Sequence, residues 1–283
     1  MSSPGISVII CTYNRKDVLE RALAAYRNQT FRDFEVIVTS DGSSDGTDEM
    51  MEALRGQSGY PLHYIRQADN GFRKSLAVNK AIRLATGRIL VFADDDMIPP
   101  PRYLESYARV FDSASNADAL LVYSKYIPVD TDDERFTTDN IRNGNYMKRV
   151  SLSDRIHLFY WKLKYRLYIR QNHPRRPKLN GNNFAVSAAA IRAINGLDSD
   201  FTGWGYEDDD WRRRLLAIGT KQAEAVCSAW NFNLGYSKAS KTTAQRPELL
   251  ERAAYNKGLA YDASRPARCV HGMTEAEAAE ILF

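Results

Sequence analysis

Three consecutive carboxylates, Asp94, Asp95 and Asp96, follow directly on the apolar run Ile89 to Ala93 and precede three prolines at 99 to 101. Like charges on adjacent residues repel, and a hard divalent cation with oxygen ligands is one compensation that these residues can recruit. Asp is also frequent in turns, so a solvated acidic turn is the competing reading. A second acidic run, Glu207-Asp208-Asp209-Asp210, stands far downstream, behind Gly203-Trp204-Gly205-Tyr206 and at the start of a helical pattern. Carboxylates in the first turn of a helix complement its dipole, which accounts for part of that acidity. Upstream of both runs the chain offers Thr12, Tyr13, Asp41 and the basic pair Arg73-Lys74. A nucleoside diphosphate suits this set. Asp41 can accept from a base imide, Tyr13 can pack on the ring, and a metal with Arg73 can neutralise the diphosphate. Each residue also has a plainer reading; Arg73 could simply be the exposed start of a helix.

The elements that would hold these groups alternate along the chain. Ile6 to Cys11, Phe34 to Thr39, Leu62 to Arg66 and Ile89 to Ala93 read as short strands, and Ala119 to Tyr126 as another. Helical spacing of apolar residues predicts helices from Val18 to Tyr26, Thr47 to Arg55 and Ser75 to Ala85, with Asn14 a candidate cap for the first. Pro101 suits the first turn of a helix carrying Tyr103, Leu104, Tyr107 and Phe111. This alternation predicts an α/β fold with a mainly parallel sheet flanked by helices. The acidic triplet then sits at the carboxyl end of a core strand, where open α/β sheets bind ligands. Downstream, Asn183 to Val186 and Gln222 to Val226 read as strands, Ala188 to Ile194 as a helix ended by Gly196, and the remainder as polar helix with a Thr274-x-x-Glu277 capping box.

The pattern fails around Pro128. Asp130 to Asn145 is polar and without period, which predicts a long loop or insertion. Leu152 to Lys178 then has a different character. Ile156, Phe159, Tyr160, Leu163 and Leu167 share one helical face, and from Arg155 to Lys178 there are eight basic residues and no acidic one. A basic, aromatic amphipathic helix can lie on an anionic membrane surface or meet a lipid-linked substrate. The alternative is a helix packed on the domain with a solvated basic edge, and stripes of this kind more often face a core. The chain divides on these grounds into 1–126, an insertion at 127–178, a second half at 179–230 and a C-terminal extension at 231–283.

With 283 residues, 26% charged and 44% hydrophobic, the composition is that of a soluble globular protein. A net charge of +4 is too small to imply a nucleic-acid partner. Three scattered cysteines, Cys11, Cys227 and Cys269, point to a reducing compartment and away from a zinc site. The first residues run straight into a strand with no apolar leader, so the expected location is cytoplasmic, with the basic helix as the element that could make it peripheral at the inner membrane face. No Gly-x-Gly-x-x-Gly follows the first strand, which argues against a dinucleotide fold, and no phosphate-cradling Gly-x-x-x-x-Gly-Lys-Ser/Thr is present.

Taken together, Ile6-Ser7-Val8-Ile9-Ile10-Cys11-Thr12-Tyr13-Asn14-Arg15, Thr39-Ser40-Asp41-Gly42-Ser43-Ser44-Asp45-Gly46-Thr47 and Phe92-Ala93-Asp94-Asp95-Asp96 resemble family 2 glycosyltransferases of the GT-A fold. Gly203-Trp204-Gly205-Tyr206-Glu207-Asp208-Asp209-Asp210 is similar to the acceptor-side motif of β-1,4-galactosyltransferases and bacterial chondroitin-polymerase-type enzymes. The likeness covers about Ile6 to Val226 apart from the insertion. It implies a nucleotide-sugar donor, UDP-linked by family habit, and a glycan or lipid-linked acceptor. It places Thr12, Tyr13, Asn14, Arg15, Asp41, Arg73, Asn79, Asp94 and Asp95 around the donor. It makes Asp96, with Asp94, the ligands of Mn2+ or Mg2+, Asp208 the catalytic base, and Trp204, Gly205 and Glu207 acceptor contacts. Related enzymes often supply a metal-binding His after the Trp-Gly motif; here Ser228-Ala229-Trp230-Asn231-Phe232-Asn233 stands there, with Asn231 as a substitute oxygen donor.

The chemistry implied is attack of an acceptor hydroxyl, deprotonated by a carboxylate, on an anomeric carbon. A nucleotidyltransferase also places acids and metal at strand ends, but would show a glycine-rich phosphate loop. A catalytically silent sugar-binding module is the third reading; the presence of Asp96 and Asp208 together speaks against it.

Overall fold

The computed structural model describes residues 4–203, 205–235, 247–276 and 280–283. Elements are numbered in chain order: β1 Ile6–Thr12, α1 Lys16–Tyr26, β2 Phe34–Ser40, α2 Thr47–Leu54, β3 Leu62–Arg66, α3 Lys74–Leu84, β4 Ile89–Asp94, β5 Met97–Ile98, α4 Tyr103–Asp112, β6 Leu120–Tyr123 and β7 Tyr126–Pro128. They continue as α5 Thr138–Arg142, α6 Leu152–Arg170, β8 Asn183–Ser187, α7 Ala188–Ala193, α8 Glu207–Ala217, β9 Lys221–Glu224, β10 Asn231–Asn233, α9 Pro247–Tyr261 and β11 Glu280–Ile281.

Eight strands form the main sheet in the order β11-β3-β2-β1-β4-β8-β6-β9. Only β8 and β11 run against their neighbours, so the sheet is mainly parallel and flanked by helices, as the alternation predicts. β1, β2 and β4 are continuous apolar runs because both of their faces are covered, and their inner residues have almost no exposure. The chain leaves β1 toward β2 on one side, and β4 returns on the other. Such a reversal opens a crevice at the carboxyl ends of the two strands. Cys11 lies opposite Asp94 and Thr12 opposite Ser40, so the ends of β1, β2 and β4 meet at one edge.

A second sheet, β5-β10-β7, packs beside that edge. It is the reason Asp94 to Asp96 form a tight connection: β4 ends at Asp94, β5 begins at Met97, and the Leu234 N–H donates to the Asp96 carbonyl at 2.9 Å. The predicted strand from Ala119 to Tyr126 is broken in two, because Ser124 and Lys125 carry the chain from the main sheet to the second one. The polar stretch after Pro128 is not structureless. Short helical turns over 134–149 bury Phe136, Ile141 and Tyr146, and both aromatic rings pack edge-on to Phe232 of β10. Sparse apolar residues on one-turn helices carry no legible period, which is why sequence spacing misses them.

Asn14 does not cap α1. It takes the left-handed region at φ 51°, its Oδ1 accepts from Ser44 N–H at 2.8 Å, and Arg15 occupies the cap position without a side-chain bond. The 231–283 stretch is not wholly helical: it opens with β10 and ends with β11 against β3. Thr274 lies in a turn, bonded to Asn195 Oδ1, and Glu277 falls outside the described residues, as does Trp204.

Candidate active site

At the meeting point of β1, β2 and β4 lies a cleft of about 570 Å³, walled by Thr12, Tyr13, Arg15, Asp41, Lys74, Asp94, Asp95, Glu207 and Asp208. Tyr126 and the turn Asn180-Gly181-Asn182 before β8 close its far side. The two acidic runs, more than a hundred residues apart in the chain, therefore share one cavity. That volume is in the range of small-molecule sites.

The residues at the ends of β1, β2 and β4 are held by one another. Asp41 receives Gln67 Nε2 at 2.6 Å and the Arg73 N–H at 2.8 Å, while burial pushes its pKa up against those bonds. The Tyr13 hydroxyl donates to Asp69 at 2.9 Å, leaving its ring about half exposed at the rim. Asp95 is turned inward. It accepts from Thr12 Oγ1 at 2.8 Å and pairs with Arg15 at 2.9 Å, and burial raises its pKa to about 7 although Arg15 opposes the shift. Arg15 reaches Asp96 as well, at 3.0 Å through Oδ2. Asp96 lies behind this guanidinium and is almost fully buried, and its Oδ1 has no hydrogen-bond partner. Gly235 approaches so closely that a Cβ there would collide with Asp96 Oδ2.

Lys74 is the cation that sequence reasoning noted but did not carry into the site. Its Nζ bonds Asp94 Oδ1 at 2.6 Å; burial alone would lower its pKa, but Asp94 and Glu207 more than compensate and raise it. A lysine in the first turn of α3 opposes the helix dipole, and that misplacement is a signal available in the sequence. Arg73, by contrast, gives the site only its backbone N–H; its guanidinium bonds the Ala68 carbonyl at 3.0 Å and does not line the cleft.

Asn79 and Asn231 also differ from expectation. Asn79 is fully buried and clasps the backbone of Leu197, with Nδ2 to the carbonyl and Oδ1 from the N–H, both at 2.8 Å. It joins α3 to the chain ahead of the second acidic run and touches no cleft. Replacing Asn79 with Ala should cost about 1–3 kcal/mol for each Leu197 group left unpaired. Urea unfolding checks that loss, and calorimetry should show donor affinity unchanged in the folded fraction. Asn231 is fully buried as well, lies near the Tyr103 hydroxyl and is not part of the cleft wall. Asn14 belongs to the loop contacts described above rather than to the cleft wall.

The second acidic run divides along the first turn of α8. Glu207 and Asp208 face the cleft, with Glu207 Oε2 buried and unpartnered. Asp208 accepts from the backbone N–H groups of Asp209, at 2.9 Å, and Gly181. Burial, then Glu207 and Asp209, push its pKa up to about 7. Asp210 points the other way, into a buried pair with Arg214 at 2.6 Å, and Arg213 holds its second oxygen at 2.9 Å. Gly205 sits at φ 108°, a left-handed conformation that favours glycine, beneath Ala253 of α9. It shapes the turn into α8 without lining the cleft.

Five carboxylates line this cleft against Arg15 and Lys74, so an anionic ligand needs further positive charge to enter. Among the described residues no group of three or more His, Cys, Asp or Glu side chains is placed to hold a metal alone. The unpartnered Asp96 Oδ1 beside Asp94 is the feature that fits a cation. Among the described residues no helix is long and apolar enough to cross a membrane.

Residues 7–173 match the model of glycosyl transferase family 2, and residues 165–239 match that of the N-terminal domain of galactosyltransferase. The chain is 31% identical over 232 residues to a chondroitin synthase of Escherichia coli, covering 76% of this chain and 32% of that protein. It is 28% identical over 242 residues to a validoxylamine A glucosyltransferase of Streptomyces hygroscopicus subsp. jinggangensis, covering 76% and 52%. The chain thus spans between a third and a half of the length of these relatives. In fold it resembles a mannosyltransferase from Pyrobaculum calidifontis solved with GDP-Man and Mn2+, with TM-score 0.55 and 18% identity over 93% of this chain and 71% of that one. S. aureus TarS 1-349 with UDP-GlcNAc gives TM-score 0.54 and 16% identity over 89% and 66%.

Proposed function

The chain belongs to glycosyl transferase family 2, and on that premise we propose that it transfers a hexosyl group, with inversion, from a nucleoside-diphosphate sugar to a hydroxyl of a glycan or glycolipid acceptor. The observation that carries this reading is the pair of acidic clusters facing one cleft, one around Asp94 and the other at Asp208. A UDP-linked donor is the first choice. Asp41 and Tyr13 receive its base, Thr12 and Asp94 lie along the ribose and diphosphate, and Arg15 and Lys74 offset the phosphate charge.

Asp208 takes the proton from the acceptor hydroxyl as that oxygen bonds to the anomeric carbon. The bond from that carbon to the diphosphate oxygen breaks, and its electron pair leaves with the nucleoside diphosphate. Attack from the face opposite the leaving group inverts the configuration. A base whose pKa stands near 7 is matched to this task at neutral pH. Glu207, with an unpartnered oxygen, is placed to accept from the acceptor and orient it. Mn2+ or Mg2+ held by Asp94 and Asp96, with remaining ligands from the donor, would supply charge neutralisation to the departing diphosphate.

A thermal-shift screen of UDP-, GDP- and dTDP-sugars with and without Mn2+ or Mg2+ tests the reading. A donor at 100 times its Kd should stabilise the protein by about 2.7 kcal/mol. That gain should require the metal and disappear in Asp96→Ala. Stabilisation equal in chelator removes the metal from the scheme, and the absence of any response to every donor removes the donor assignment.

A further inference from the structure

The apolar stripe of α6 does not face the core. Leu158 and Tyr165 are the buried residues of this helix, with Trp161, Tyr168 and Ile169 half-buried beside them. At 100° per residue the opposite side carries Leu152, Ile156, Phe159, Tyr160, Leu163 and Leu167 within an arc of about 100°. These six side chains are each 49–73% exposed. The helix is apolar on two opposed faces, one serving the fold and the other turned outward.

The outward ridge is built, not frayed. Ser151 and Asp154 form a reciprocal capping box that fixes the start of the helix, and Arg166 ties its body to Glu224 of β9 at 2.7 Å. The helix has 19 residues, and at about 1.5 Å per residue its Leu152–Leu167 ridge is about 22 Å long. Arg155, Lys162 and Arg166 run along one flank; Lys164 lies on the other, 4.6 Å above the Tyr160 ring. Arg170 stands at the end of the ridge, and no acidic residue occurs between Arg155 and Lys178.

We propose that α6 is a membrane-surface anchor, seating its Leu152–Leu167 ridge at the acyl boundary of an anionic bilayer with its basic flanks among the headgroups. An outward apolar ridge between cationic flanks is the form of a helix lying in the interfacial plane. A second copy of the chain is a poorer occupant, because ridge-to-ridge contact would bring like-charged flanks together.

Docking there would also orient the cleft. The chain runs from the end of α6 through Lys178, whose Nζ is 3.8 Å from Asp209, into the Asn180-Gly181-Asn182 wall beside Asp208. The acceptor side is thereby tethered to the anchoring helix, which would suit a lipid-linked acceptor. This consequence rests on the transferase reading; the anchor itself does not.

The test is co-sedimentation of the full chain with phosphatidylcholine vesicles, with and without phosphatidylglycerol, at low and high salt. Binding should require the anionic lipid and weaken with salt. Phe159→Gln combined with Leu163→Gln, and separately Arg155→Gln combined with Lys162→Gln, should each lower vesicle affinity by about tenfold or more. Metal-dependent donor stabilisation should be unaffected in both variants, which separates failure of the anchor from failure of the donor reading. Vesicle binding that ignores lipid charge and both variants overturns the proposal. So does its absence, including the case where the apolar variant instead converts an oligomer to monomer in sedimentation velocity, which would assign the ridge to a second copy.

Discussion

Asp208→Asn is expected to lower kcat by about 10²- to 10⁴-fold, the usual worth of a positioned general base, while leaving donor affinity in place. Asn keeps the shape and can still accept the Asp209 N–H, but it cannot take a proton. The wild-type protein should show kcat/KM rising with pH through about 7, because only the deprotonated carboxylate acts and burial has raised its pKa to that value. Stability should move the opposite way. Between the ordinary Asp value of 3.8 and about 7 the folded state binds the proton more tightly than the unfolded chain. This group's contribution to stability therefore falls as pH rises through that window. The variant lacks this penalty, so its melting temperature at pH 8 should be no lower than wild type. A variant with near-normal turnover, or a flat wild-type pH profile between 5 and 8, would remove Asp208 from the base role.

Two residues along, the same substitution should have the opposite outcome. Asp210→Asn strands the Arg214 guanidinium, which is 1% exposed and, among the described residues, otherwise bonded only to the Ile194 carbonyl at 2.9 Å. Removing one partner of a buried ion pair costs about 3–5 kcal/mol, because the remaining charge is neither solvated nor paired. Arg213, at 24% exposure, keeps its bonds to the Ala260 and Arg265 carbonyls and adds little to the loss. Urea unfolding of the two variants side by side measures this directly: Asp210→Asn should unfold at clearly lower denaturant, and Asp208→Asn should not. Equal midpoints for Asp210→Asn and wild type would mean that the pair does not hold α8 in place.

Much of the cleft wall around β1, β2 and β4 was legible from the sequence alone. Buried parallel strands are mostly apolar runs, and the carboxyl end of each could be marked by the polar residues that close it: Thr12, Asp41 and Asp94 all reach the cleft. Asp96 and Gly205 stand behind the cleft wall, and four further residues named for the site did not reach it in the expected way. Asn79 and Asn231 are polar side chains folded into the interior, Arg73 supplies a backbone group instead of its charge, and Asn14 ties two loops. Amide and guanidinium groups satisfy backbone as readily as ligands, so residue type alone does not separate the two uses. Lys74 and the Asn180-Gly181-Asn182 turn went the other way, from unassigned to lining the cleft.

The α6 stripe shows the same limit in apolar residues. Helical spacing correctly predicted a helix with Ile156, Phe159, Tyr160, Leu163 and Leu167 on one face, yet that face is the exposed one. A period reports which residues stand together; it does not report which side the rest of the chain will cover.

The acidic runs draw the line most sharply. Their positions, Asp94 to Asp96 after a buried strand and Glu207 to Asp210 opening a helix, follow from local pattern, because strand and helix periods are written in neighbouring residues. Which carboxylate in each run does what depends on packing. At a strand end successive side chains turn to opposite faces, so Asp94 meets Lys74 while Asp95 turns inward to Thr12 and Arg15. On α8, Asp208 and Asp210 lie about 200° apart around the helix. One therefore faces the cleft with its proton held near neutrality, and the other faces Arg214 in the core.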